Sequence, residues 1–227
     1  MKTAILVDGG FFIKRYRSLM GNNPPDKVAK DLHEICLQHV SQKNNSDNTS
    51  ILYRILFYDC APIEKKVHNP VTKKSYDFSR SSEYLFRRTF HQELKKLRKV
   101  ALRLGKLADQ GGWIIKPEQT KNLLNGVIKI SDLQENDVVY EVRQKGVDMK
   151  IGLDIASLAY KKLVDQIILI AGDSDFVPAA KLARREGIDF ILDPMWNPIN
   201  PDLHEHIDGL KSICKKSVKK DLVAVSA

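Results

Sequence analysis

The sequence predicts an α/β fold, a mostly parallel central sheet with helices on both faces, and three observations carry that prediction. Ile167, Ile168, Leu169 and Ile170 form an apolar run that stops at Ala171-Gly172-Asp173, the pattern of a strand buried on both faces. Ala179, Ala180, Leu182 and Ala183 then read as a helix, and residues 188–192 as another buried strand closed by Asp193-Pro194. Strand, helix and strand at this spacing require a right-handed parallel crossover. The first ten residues repeat the arrangement, with a short apolar strand at 3–7 ending on Asp8 and Gly9-Gly10 after it.

Residues 11–19 read as a helix with Phe11 and Phe12 in its first turn, and Asn22-Asn23-Pro24-Pro25-Asp26 as a break. Val28, Leu32, Ile35 and His39 recur at helical spacing after Asp26, a candidate cap, and His33 and His39 are read as structural. Residues 43–50 are a polar loop. The β-branched and aromatic stretch 51–58 reads as a second strand, ending on Asp59, which is taken as a turn residue or a neighbour of the site rather than a ligand.

A loop at 64–82 leads to a helix whose apolar stripe is Phe86, Phe90, Leu94, Leu97, Ala101 and Leu104, closed by Gly105 and Gly111-Gly112. Trp113-Ile114-Ile115 is a short strand, and residues 127–142 are expected to hold one or two more. Ile151, Ile155 and Leu158 mark the helix that follows Lys145-Gly146-Val147-Asp148. Past a loop of Trp196, Asn197, Pro198, Asn200 and Pro201 at the same sheet edge, Asp202 is expected to cap a last helix through Leu203, Ile207, Leu210 and Ile213.

A chain of 227 residues suits one core. The expected organisation is a single domain at 1–214, with a basic loop-helix insertion at about 62–110 and a basic tail at 215–227. Three separated cysteines give neither a disulfide framework nor a zinc pattern. No apolar run is long enough to span a bilayer, and Asp8 interrupts what would be a signal peptide's apolar region, so the expectation is a cytoplasmic protein with no membrane partner. The net charge of +9 favours a polyanionic partner. Thirteen basic residues against five acids between Pro62 and Gln110 supply eight of those nine charges. With Tyr76, Phe78 and Tyr84 interleaved, the segment reads as a nucleic-acid platform in which Arg87, Arg88, Lys95 and Lys99 track phosphates; a solvated helix face is the alternative.

The acids fall where chemistry is expected. Ligands of open α/β sheets bind outside the carboxyl ends of the strands, and Asp8, Asp173 and Asp175 stand at such ends, with Asp148 at a helix start. Converging carboxylates suit Mg²⁺ or Mn²⁺. The plainer reading makes Asp173 a turn residue and gives Asp175 and Asp148 helix N-termini.

VDGGFF at 7–12, KGVDMKIGLDIA at 145–156 and AGDSDF at 171–176, in this order, resemble the NYN domains of the PIN-like metal-dependent nucleases, over nearly the whole chain from Lys2 to about Leu210. The resemblance implies a Rossmann-like domain that holds divalent metal and cuts RNA or other nucleic acid, its acids matching Asp8, Asp148, Asp173 and Asp175; the expectation is RNA rather than DNA, cut with one or two Mg²⁺ or Mn²⁺ ions held by these four. It also matches Asp154, but six residues from Asp148 is about 120° round an ideal helix, so Asp154, with Ser174, is expected to support the site rather than hold metal. Lys145 is a candidate phosphate contact. Two rivals remain: a haloacid-dehalogenase-type phosphatase, which would need an acid where Gly10 stands, and a nucleic-acid-binding module of the same fold that cuts nothing.

Overall fold

The computed structural model describes residues 1–41, 50–108 and 112–215; most of the polar loop and of the basic tail lie outside them. The chain runs β1 (Lys2–Asp8), α1 (Gly9–Met20), α2 (Pro25–Ser41), β2 (Ile51–Cys60), β3 (Lys66–His68), β4 (Ser75–Asp77), α3 (Ser82–Lys96) and β5 (Val100–Ala108). It continues through β6 (Trp113–Ile115), α4 (Pro117–Leu124), β7 (Val138–Tyr140), β8 (Arg143–Lys145), α5 (Val147–Tyr160), β9 (Gln166–Ile170), α6 (Val177–Arg185), β10 (Asp189–Asp193), α7 (Pro201–Glu205) and β11 (Gly209–Leu210).

Seven strands form one sheet in the order β11-β10-β9-β1-β2-β5-β8, parallel except for β8 at the edge. The unbroken apolar runs of β1 and β9 follow from coverage on both faces. Strand alternation sorts the two cores: Ala4, Leu6, Leu56, Tyr58, Ile167 and Leu169 pack under α5 and α6, whereas Ile5, Val7, Ile55, Phe57, Ile168 and Ile170 pack under α1, α2 and α3. Each fully buried aliphatic side chain contributes about 1.5–3 kcal/mol. Cys36, Cys60 and Cys214 are free and buried within these layers. His39 is structural, its Nε2 bonded to the buried Asp193 at 2.8 Å. No helix among the described residues is long and apolar enough to cross a membrane.

Two expected helices are shorter than their apolar spacing suggested. The basic helix ends at Lys96: Leu97 is extended (φ −82°, ψ 137°), Lys99 is left-handed (φ 62°), and Val100 starts β5, parallel to β2. Ala101 and Leu104 therefore belong to a sheet strand, and segment 62–110 is partly core. Gly105 lies inside β5, where a Cβ would come 2.8 Å from the Lys145 carbonyl oxygen. At the other end of the chain, α7 has five residues and is capped by Asn200, whose side chain accepts from the Asp202 N–H at 2.9 Å. Asp208 then turns the chain into β11, its carboxylate accepting from Phe190 N–H at 2.9 Å and Arg184 Nε at 2.8 Å.

Candidate active site

The strand order reverses at β1. From β1 the chain adds β2 and β5 on one side, then returns to place β9, β10 and β11 on the other. The crevice outside the carboxyl ends at such a reversal is where open α/β sheets bind ligands. Val7 pairs with Ile170, so the segments that leave the sheet here are Asp8-Gly9-Gly10 and Ala171-Gly172-Asp173.

Asp8 is half-buried and caps α1, its Oδ1 accepting from the Phe11 N–H at 3.2 Å. Glycine is required after it, since a Cβ at Gly9 would lie 2.5 Å from the Tyr58 carbonyl oxygen. A Cβ at Gly10 would meet Asp8 Oδ1 at 3.5 Å and Gln144 Oε1 at 3.7 Å, which places Gln144 of β8 beside the same carboxylate. Across the crevice, Gly172 makes room for Phe11, whose ring a Cβ would meet at 2.5 Å. Phe11 is thus a packing residue against the turn that carries Asp173.

Asp148 is exposed in the first turn of α5, which the chain enters through left-handed Gly146 (φ 77°). Asp173 caps the single turn Ser174–Phe176, its Oδ1 accepting from the Asp175 N–H at 3.1 Å, and both acids are exposed. The turn-forming role is therefore present in Asp173, and it leaves one oxygen of that carboxylate without a role in the turn.

The acids act on one another electrostatically. Burial above all, then the charges of Asp148 and Asp59, push the Asp8 carboxyl up to about 6, against the pull of the Phe11 and Gly10 N–H groups. Asp148 is raised by burial and by Asp173 and Asp175. Asp8, Asp148, Asp173 and Asp175 thus form a rim of like charge around one sheet edge. Among the described residues, no three Asp, Glu, His or Cys side chains are grouped closely enough to hold a metal ion as they stand. The rim is open, and its all-carboxylate donor set is chemically suited to a hard divalent cation.

The remaining predicted residues are dispersed. Asp154 accepts from Tyr58 Oη at 2.7 Å and from Arg103 Nε at 2.9 Å, an anchor between α5 and the strands β2 and β5. Ser174 sits in the turn between Asp173 and Asp175. Arg87, expected to face solvent, is instead bonded through Nη1 to both oxygens of the fully buried Asp59 at 2.7 and 2.8 Å, and through Nε to Glu83 at 2.8 Å. A guanidinium committed to a buried carboxylate is part of the fold. Arg88 and Lys95 are exposed. Lys99 directs its Nζ to the Leu52 carbonyl, at the amino end of β2 and so at the opposite edge from Asp8. Lys145 pairs with Lys106 across β8 and β5, two residues before α5 and on the acids' side.

Sequence reasoning missed the group around Asp59, whose Oδ2 also bonds His91 Nε2 at 2.8 Å. The signal was legible: Glu83, Arg87 and His91 recur every four residues on one helix face beside a strand-end acid.

A mostly parallel α/β sheet with acids gathered at its reversal point defines the Rossmann-like, PIN-like class. Within it the chain belongs to the NYN domain family, whose profile matches residues 64–197, a span that includes Asp148, Asp173 and Asp175 and starts after Asp8. Among solved structures, a protein of unknown function from Vibrio parahaemolyticus is 18% identical over 93% of this chain and 92% of that one, with a TM-score of 0.48. A structure concerned with the mechanism and regulation of Sir2 enzymes is 11% identical over 94% of this chain and 86% of that one, with a TM-score of 0.34. Likenesses this loose carry no functional argument. Comparison with curated proteins gives no match.

Proposed function

We propose that this NYN domain is a divalent-metal-dependent nuclease that hydrolyses phosphodiester bonds in RNA, at the rim formed by Asp8, Asp148, Asp173 and Asp175. The observation that carries the reading is the placement of these acids at the sheet's reversal point, where Asp8 and Asp173 follow the paired strands β1 and β9 and Asp148 opens α5 close enough for its charge to act on Asp8. Carboxylates gathered this way destabilise the empty fold, and a bound cation reverses the sign of that effect. Asp8, Asp148, Asp173 and Asp175 would hold Mg²⁺ or Mn²⁺, which when bound lowers the pKa of a coordinated water and neutralises charge on the phosphate.

The chain's own groups supply position. Asp8 is fixed by its bond to Phe11 N–H and by the close passage of Gly9 under Tyr58. Gln144, beside Gly10 and Asp8, can orient a phosphate oxygen or water by hydrogen bonding. Lys145 brings positive charge to the same edge.

The test is incubation of the purified chain with labelled single-stranded RNA and DNA, in Mn²⁺ and in EDTA. RNA cleavage that needs Mn²⁺ and is abolished by Asp148→Asn and Asp173→Asn, with folding retained by circular dichroism, is the expected result. Cleavage that survives in EDTA, or equal calorimetric Mn²⁺ binding by the parent and Asp173→Asn, overturns it.

A further inference from the structure

Two small two-stranded sheets stand outside the central sheet, β3 with β4 and β6 with β7, and nothing in the acid rim uses them. Between them lies a cluster of aromatic rings. Tyr76 meets Phe78 edge-on at 4.8 Å between centroids, Phe78 meets Tyr140 at 5.4 Å, and Tyr140 meets Trp113 edge-on at 5.7 Å. With Asn69, Lys74, one acid, Glu135, and neighbouring residues, these four rings line a cavity of about 250 Å³. A water occupies about 30 Å³ of liquid, so a planar ring system of several such volumes fits.

The cluster is more than a small core. Val67, Asn69, Leu133 and Val138 are buried in this region, whereas Tyr76 keeps 43% of its surface exposed. Ser75 and Tyr76 also border a second, larger cavity of about 500 Å³, whose other walls are Lys66, Asp77, Arg80 and Ser81. Tyr76 is therefore a partition with an aromatic chamber on one side and a chamber carrying two basic side chains on the other. Residues 65–82 hold five basic residues and a single acid, Asp77, which is already bonded to Ser79 and Arg80.

A ligand matching both chambers has a flat apolar face and an attached anion, and that is an unpaired nucleotide. An apolar peptide side chain would account for the rings but not for the charge beside them. Base–aromatic stacking tolerates any sequence, and a basic track next to it follows the phosphates. The position suits a strand that reaches the acid rim. Both small sheets follow strands that end at the acids' edge: β3 and β4 come after β2, and β6 and β7 come after β5, whose last residue Ala108 pairs with Arg143 of β8. Tyr140 precedes Asp148 by eight residues, which limits their separation to under about 30 Å.

We propose that the chamber formed by Tyr76, Phe78, Trp113 and Tyr140 binds a base of single-stranded RNA, with Lys66 and Arg80 on the adjoining phosphates, as a docking site separate from the acid rim. The proposal rests on the nucleic-acid reading of that rim, and its test is binding without cleavage. Fluorescence anisotropy of a labelled single-stranded oligouridylate would be followed in EDTA with the full chain. Tyr76→Ala should weaken binding about tenfold or more, the scale of one lost stack, while Tyr76→Phe, which keeps the ring, should bind as the parent does. The oligonucleotide should also quench indole fluorescence in the parent and quench it less in Trp113→Phe.

Parent-like affinity in a folded Tyr76→Ala variant overturns the proposal, and so does a loss of affinity that Tyr76→Phe shares; the first would also be the outcome if the chamber takes a peptide. The two readings fail separately. RNA that binds through Tyr76 but is not cut in Mn²⁺ removes the nuclease and keeps the chamber. Cutting that is indifferent to Tyr76→Ala, with binding unchanged, does the reverse.

Discussion

Burial and the charge of Asp148 lift the Asp8 carboxyl from its ordinary 3.8 to about 6, so the folded chain keeps a proton there that the unfolded chain releases. A raised carboxylate pKa makes the folded state bind more protons between these values, so Asp8 costs nothing below about pH 4, costs more as pH rises to about 6, and its cost is constant above that. Two units are worth about 3 kcal/mol, which partial exposure reduces to about 1–2 kcal/mol. Asp8→Asn keeps a capping side chain for α1 and should therefore stabilise the metal-free protein by about 1–2 kcal/mol near pH 7.5 and not near pH 4. Urea unfolding in EDTA at both values is the check. Because Mn²⁺ needs the carboxylate, the parent's affinity should in turn fall as pH drops below about 6. Asp154 is predicted to behave differently, since its carboxylate is bonded to Tyr58 and Arg103. Asp154→Ala should cost about 1–3 kcal/mol of stability yet change calorimetric Mn²⁺ affinity far less than Asp148→Ala does. The positions of Asp8 and Asp173 were legible because each follows a visible apolar run, and that of Asp148 because it opens an amphipathic helix. The partners of Asp154 were not, because Arg103 was read into a helix and lies on a strand.

Elements were legible wherever periodicity had one interpretation. The apolar runs of β1, β2, β9 and β10 read as buried strands, and all four lie side by side in the sheet, in the order β10-β9-β1-β2. The stripe from Phe86 to Leu104 failed because the helical spacing of Phe86, Phe90, Leu94 and Leu97 continues by coincidence onto Ala101 and Leu104 of β5, although Ala101 packs on the opposite face with α5 and α6 and Leu104 is exposed. The break is tertiary: α3 must return the chain from the carboxyl end of β2 to the amino end of β5, and Lys99 takes a left-handed conformation to make that turn. The same geometry sets Arg87 over Asp59. Replacing Arg87 with Ala leaves a fully buried carboxylate with His91 as its remaining side-chain partner and should cost about 3 kcal/mol, whereas Arg88→Ala on the exposed face should stay within about 0.5 kcal/mol. Comparison of the two urea midpoints at equal m-value decides it.

At the scale of the whole molecule, the excess positive charge counted between Pro62 and Gln110 is not one platform. Because α3 runs against the strands, its first turns lie at the carboxyl edge with the acids, and Lys95 lies near the amino edge with Lys99, whose Nζ reaches the carbonyl of Leu52. Charge composition was plain in the sequence, but its distribution depends on which end of the sheet each turn reaches, and that needed the strand assignment of residues 100–108. If RNA binds at the acid rim as proposed, the strand would pass Arg88 and Lys145 and would not meet Lys95 or Lys99. Removing one phosphate-neutralising side chain flattens the dependence of log affinity on log salt by about 0.7 for a single strand. Replacing Arg88 and Lys145 with Ser should therefore lower the slope by about 1.4, while replacing Lys95 and Lys99 with Ser, an equal loss of formal charge, should leave it within about 0.3 of the parent. Anisotropy titrations of labelled single-stranded RNA in EDTA, across a series of salt concentrations, measure both slopes on one protein. Equal flattening by the two pairs would mean that net charge alone attracts the strand and that the sheet's two edges are equivalent to it.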